Sequence, residues 1–188
     1  MFIQTEQTPN PATLKFLPGR EVMVSGTADF ITATAAARSP LATALFAVDG
    51  VRGVFFGGDF VTVTKDETRD WPLLKPSILS VIMEHFTAGQ PLISAAAETA
   101  ESALGESASG DDGEIVAQIK ELLATRVRPA VAQDGGDITF HSFEDGVVTL
   151  HLQGSCSGCP SSTATLKSGI ENLLRHYIPE VREVRAAP

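Results

Sequence analysis

DITFHSFEDGVVTLHLQGSCSGCPSS, residues 137–162, passes from two alternating apolar runs to a glycine- and serine-rich stretch that holds both cysteines of the 188-residue chain. DITFHSF and VVTLHLQ place apolar side chains at every second position, the period of a half-buried strand. Ile138 and Phe140 share one face of the first run; Val148, Leu150 and Leu152 share one face of the second. A slip of one residue would turn an apolar set into water, so Phe140 is expected opposite Leu150. That register leaves Glu144, Asp145 and Gly146 as the hairpin loop, with Gly146 in the left-handed conformation. His141 and His151 then fall on the face away from the apolar side.

Helical patterns flank this hairpin. Upstream, Ile115, Ile119, Leu122 and Val127 form a stripe that starts at the capping pair Asp111 and Glu114 and reaches about residue 132 despite Pro129. Asp134-Gly135-Gly136 stops it. Downstream, Leu166, Ile170, Leu173, Leu174 and Tyr177 mark a helix from about Pro160, and residues 181–186 can add a short strand. The order is α-β-β-α-β, a small α+β domain over residues 113–188.

A second small α+β domain is expected over residues 1–87. Residues 14–18 and 21–24 read as extended, and Ser39-Pro40 reads as an N-cap and first-turn proline for a helix over 41–48. VRGVFFGGDFVTVTKD, residues 51–66, is a hairpin punctuated by Gly57-Gly58-Asp59. Trp71, Leu74, Ile78, Ile82, His85 and Phe86 share one helix face, capped by Asp70, and Pro76 must lie in its first turn or kink it. His85 reads as a packed or helix-terminal residue. Between the domains, residues 88–112 trade aromatic and branched side chains for Ala, Ser, Gly and Glu, the composition of a flexible acidic linker.

The charge distribution excludes several partners. Of the formal net charge of −9, the stretch 94–114 supplies Glu98, Glu101, Glu106, Asp111, Asp112 and Glu114 with no Lys or Arg, so the folded parts carry about −3. No basic surface is available for nucleic acid. No apolar run is long enough to span a membrane, and the N-terminal residues carry no cationic leader pattern. Two cysteines in a chain of this size do not make a disulfide scaffold, so a reducing cytosol is expected.

Cys156 and Cys159 sit between a strand and a helix, with Cys159 at the cap position and Pro160 in the first turn. A thiol with a pKa of about 8.5 is mostly protonated at neutral pH, whereas exposed N–H groups and the helix dipole favour the thiolate that binds metal or attacks disulfides. Ser157 and Gly158 permit the tight turn that lets both sulfurs face one centre, and small neighbours imply an accessible site. A redox dithiol needs only two sulfurs, but too little chain follows for a thioredoxin fold. A structural zinc needs four ligands, and His141 and His151 are in the wrong place. An iron-sulfur cluster also takes four ligands, so one chain supplies half a site and a homodimer supplies a whole one. Lys167 reads as a solvated surface lysine, and Asp134 and Asp137 as a helix stop and strand start.

The stretch from Val127 to Pro160, with RPAVAQDGGDI, the hairpin and LQGSCSGCPSS, resembles the C-terminal domain of NifU-type proteins. TPNPATLKFLPG, SPLATALF, VRGVFFGGDFVTVTK and WPLLKP resemble the N-terminal domain of the Nfu branch of that family. The resemblance implies a non-enzymatic scaffold or carrier that holds a [4Fe-4S] cluster, or a [2Fe-2S] cluster, between two protomers, with Cys156 and Cys159 at the ligand positions. It implies apo iron-sulfur proteins as recipients and upstream cluster-assembly proteins as donors. The cysteine triad and ferredoxin-like module of the longer family members are not seen, which favours delivery over de novo building. A bacterial cytoplasm is the expected location, although mitochondrial members act in the matrix. A CxxC dithiol oxidoreductase remains the alternative.

Overall fold

A computed structural model describes residues 2–94, 113–157 and 160–187. It divides into two compact units, Met1–Gly105 and Glu106–Pro188, taken separately below. Both mix helices and sheet, as an α+β reading of the chain requires.

The first unit is built on a five-stranded antiparallel sheet of order β1-β2-β5-β4-β3, from β1 (Gln4–Gln7), β2 (Thr13–Leu17), β3 (Ala28–Phe30), β4 (Val51–Phe56) and β5 (Val61–Lys65). The expected central hairpin is β4-β5. The flanking strands β1 and β3 are additions, and residues 21–24 are not a strand: the N–H groups of Val22 and Met23 donate to the Gly58 carbonyl at 2.7 and 3.2 Å. The short helix α1 (Ala33–Ala36) and α2 (Pro40–Phe46) follow β3, and Ser39 caps α2 by accepting from the Ala42 N–H at 3.1 Å.

Helix α3 (Trp71–Ala88) closes the unit, burying Leu74, Ile78, Ile82 and His85. Asp70 stands at its N-cap but makes no side-chain cap bond, which corrects the expected capping. Pro72 takes the first turn, where a missing N–H costs nothing, and Pro76 lies inside the helix. Phe16, Phe30, Phe56, Leu41, Leu45, Ile78 and Ile82 are fully buried in one core. At about 1.5–3 kcal/mol for each large apolar side chain taken from water, this cluster dominates the unit's stability. Leu92 and Ile93 also pack against it, and both Ser94 N–H and Oγ donate to the Arg38 carbonyl at 2.8 and 2.7 Å. The unit therefore runs past residue 87, at least to Ser94; residues 95–112 of the expected linker, with Asp111, lie outside the described residues.

The second unit shows the expected α-β-β-α-β order: α4 (Gly113–Leu122), a wide π-turn (Leu123–Val127), α5 (Arg128–Gln133), β6 (Gly136–Glu144), β7 (Val147–Gly154), α6 (Pro160–Tyr177) and β8 (Glu183–Ala186). Pro129 offers no N–H to the Thr125 carbonyl, and the π-turn widens the helix just before it. The buried stripe is Val116, Ile119, Leu123, Val127 and Val131, with Ile115 and Leu122 only partly covered. β6 and β7 pair antiparallel, and α6 supplies the crossover that lets β8 lie parallel to β7. In α6 the core residues are Ile170 and Leu174; Tyr177 is 47% exposed, and Ile178 takes the place expected of it.

Phe140 opposes Leu150, as face matching requires. The loop differs: Glu144 pairs with Val147, leaving a two-residue turn, Asp145-Gly146, with φ of 50° and 80°. A bulge between Phe140 and Ser142 takes up the odd residue, His141. The bulge shifts the alternation by one, so that Phe143, paired with Val148, packs against the core.

Candidate functional site

β7 ends at Gly154 and α6 begins at Pro160, so both cysteines fall in the connection between sheet and helix. Gly154 has φ 66°, a left-handed turn that only glycine takes without strain. The chain then reverses sharply, with Ser157 N–H donating to the Gly154 carbonyl at 3.1 Å.

Cys156 is 5% exposed and belongs to the apolar core of the second unit. This corrects the accessible position expected from its small neighbours. Cys159 lies outside the described residues. Among the described residues no three His, Cys, Asp or Glu side chains converge as a metal site. His151 pairs with Thr139 across the hairpin, and His141 stands exposed at the bulge.

The glycine-rich stretch before β6 lies directly under the cysteine loop. Gly136 pairs with Gly154, and a Cβ on Gly136 would stand 2.9 Å from the Cys156 sulfur, 2.6 Å from the Gln153 carbonyl oxygen and 3.3 Å from the Cys156 nitrogen. Only a residue without a side chain admits the thiol there. Gly135, at φ 81°, receives the Ser155 N–H on its carbonyl at 3.2 Å. The Ser155 hydroxyl donates to the Asp134 carbonyl, and its oxygen lies 4.0 Å from the Cys156 sulfur. On the far side, Thr163 Oγ1 donates to the Cys156 carbonyl at 3.2 Å.

Asp137, 3% exposed, anchors this cradle to the preceding helix. Its two oxygens accept from Arg128 Nε and Nη2, each at 2.8 Å, and Oδ1 also accepts from the Ile138 N–H at 2.8 Å. The hydrogen bond to Asp137 raises the Arg128 pKa, so the guanidinium keeps its charge throughout the working pH range. A forked guanidinium–carboxylate pair fixes direction as well as distance. Asp137 is thus neither a plain strand start nor a cation ligand. Lys167 is also engaged elsewhere, 3.9 Å from Glu183 on β8.

The sequence points to the cysteines, but it gives Arg128 and Ser155 no role, Gly136 only that of a helix stop and Asp137 only that of a strand start. The signal available was the pairing of two strand ends, each rich in glycine, which marks a close approach of two backbones.

Two family models match the chain: the scaffold protein Nfu/NifU N-terminal domain over residues 3–89, and the NifU-like domain over residues 119–185. The human protein named "NFU1 iron-sulfur cluster scaffold homolog, mitochondrial" is 57% identical over 185 residues, covering 98% of this chain and 71% of that one. The protein of the same name from Drosophila persimilis is 55% identical over 185 residues, with 98% of this chain and 64% of that one covered. "NifU-like protein 5, mitochondrial" of Arabidopsis thaliana is 55% identical over 188 residues, with 98% and 67% covered. A solution structure of a NifU-like protein from Saccharomyces cerevisiae superposes with a TM-score of 0.46 at 28% identity, covering 50% of this chain and 86% of that one. Two family models that together span most of the chain, and a relative 57% identical over 98% of it, place this chain in the Nfu/NifU family.

Proposed function

We propose that this chain is an iron-sulfur cluster scaffold that binds a [4Fe-4S] cluster between two copies and delivers it to apo-proteins, Cys156 and Cys159 of each copy supplying thiolates. The observation that supports the reading is that both cysteines of the sequence fall between β7 and the start of α6, within a domain of the NifU-like family whose relatives bear scaffold names. A cluster of this kind is held by four thiolates, so two copies complete one shell. The cluster is cargo. Its transfer is ligand exchange: a recipient's thiolate bonds to iron as a cysteine of this chain leaves and takes up a proton, with no change of oxidation state and no catalytic base. The stretch after Ser94, up to residue 112, serves as the linker between the two units, and the first unit, which has no thiol, serves to recognise donors or recipients.

A reducing compartment, bacterial cytoplasm or mitochondrial matrix, suits such thiolates. The relatives' names carry the mitochondrial label, and among the described residues no helix is long and apolar enough to cross a membrane.

Anaerobic reconstitution with iron and sulfide, followed by Mössbauer spectroscopy and mixing with an apo-acceptor, tests the proposal. A [4Fe-4S] spectrum that disappears as the acceptor gains activity supports it, as does loss of the cluster in Cys156→Ser and Cys159→Ser. A chain that takes up no iron yet reduces disulfides would favour a dithiol oxidoreductase.

A further inference from the structure

Cys156 is held inward by its neighbours, whereas a sulfur donated to a cluster at a boundary between two chains must be presented outward. The buried thiol fills the space that a Cβ on Gly136 of the opposite strand would take, 2.9 Å from that position, and the residue before it, Ser155, is itself 2% exposed. Ser155 bonds twice to the glycine-rich stretch, through its hydroxyl to the Asp134 carbonyl and through its N–H to the Gly135 carbonyl. Thr163, on the first turns of α6, holds the Cys156 carbonyl from the other side. These three bonds tie residues 155 and 156 to Asp134, Gly135 and Thr163.

We propose that Ser155 is a latch: in the cluster-free chain its hydroxyl bond to Asp134 keeps Cys156 folded into the core, and loading requires that bond to open so that Ser155 and Cys156 turn the sulfur outward. The inference rests on the proposed role of Cys156 as a ligand. Ser155 is a positioning residue, since it acts through the cysteine beside it. The geometry gives it a reason to be polar: once the loop is out, the hydroxyl reaches water, so the buried bond is exchanged for a hydrated one at small net cost. A covalent or apolar anchor at the same place would not release. The closed state also shields the thiol from oxidants, whose attack follows exposure.

The test uses the full chain, metal-free, carrying Cys159→Ser so that Cys156 is the one thiol. Alkylation by iodoacetamide is followed by mass, with the same protein in urea as the unrestrained reference. Cys156 is expected to react at least about tenfold more slowly in the folded chain than in urea. Ser155→Ala is expected to raise the folded rate about tenfold, equivalent to about 1.4 kcal/mol of lost latch. Thr163→Val should raise it in the same direction. Amide exchange at Ile138 and Leu174 should stay at the parent's rate in both variants, which separates loop release from general loosening of the core. Equal rates for folded and unfolded Cys156, or no acceleration in either variant, would overturn the latch. Iron and sulfide uptake by the chain with both cysteines tests the ligand reading on its own, so either idea can fail while the other stands.

Discussion

Gly136 is the residue on which the site's packing turns. With its missing Cβ only 2.6 Å from the Gln153 carbonyl and 2.9 Å from the Cys156 sulfur, Gly136→Ala must displace the loop or the strand. Overpacking of this kind costs about 1–3 kcal/mol. The measurement is urea unfolding followed by the chain's single tyrosine, Tyr177, which lies in the second unit; the single tryptophan, Trp71, reports the first unit and should not respond. Arg128→Met leaves the buried Asp137 carboxylate without its forked partner, and about 2–4 kcal/mol of the same unit's stability should be lost. A change under 0.5 kcal/mol would show that water replaces the guanidinium without cost. The two cysteines were legible in the sequence because chemistry and spacing announce them. The burial of Cys156 was not, because small flanking residues fit an open loop and a close backbone approach equally well, and only the pairing of Gly136 with Gly154 distinguishes the two.

At the scale of elements, the β6-β7 hairpin shows how a correct register can hide a wrong loop. A three-residue loop and a two-residue turn with one bulged residue both put Phe140 opposite Leu150. The bulge is what brings Phe143 onto the core, and face matching confined to Ile138 and Phe140 could not see it. Deleting His141 removes the bulged residue and leaves Ile138, Phe140 and Phe143 in unbroken alternation. The second unit of that variant should stay folded, with cross-strand amide contacts running evenly through the ladder; a molten second unit would contradict the reading. The edge strands β1 and β3 escaped notice because QTEQ is polar and ADF is three residues long, too short for a period to register. Helix α3 carries a titratable liability of its own. His85 is 6% exposed, its Nε2 has no hydrogen-bond partner among the described residues, and burial lowers its pKa below the usual 6.5. Because the folded state disfavours the charged ring, the first unit should hold full stability above about pH 6.5 and lose it as pH falls from there through the lower folded value. Following Trp71 fluorescence during thermal unfolding between pH 7.5 and 5 should show that decline, and His85→Phe should flatten the part of it due to this ring.

The whole molecule joins an Nfu-type unit without thiols to a NifU-like unit with two, and the proposed function turns on that small number. The fold class and the order of the second unit follow from periodicity and punctuation. The proposed pairing of two copies is written in no local pattern, because an interface between chains leaves no fixed spacing in one sequence. Sharing of the cargo between copies is therefore the central claim, and it is a claim about number. Oxygen-free chain loaded with iron and sulfide should be assayed for both elements and for molar mass in the same sample. The account predicts a particle of two chains, about 40 kDa from the 19.8 kDa chain, that carries about four iron and four sulfide per pair and dissociates when Cys156→Ser removes a ligand from each copy. Loaded protein running as a single 19.8 kDa chain with a full complement of iron would contradict it.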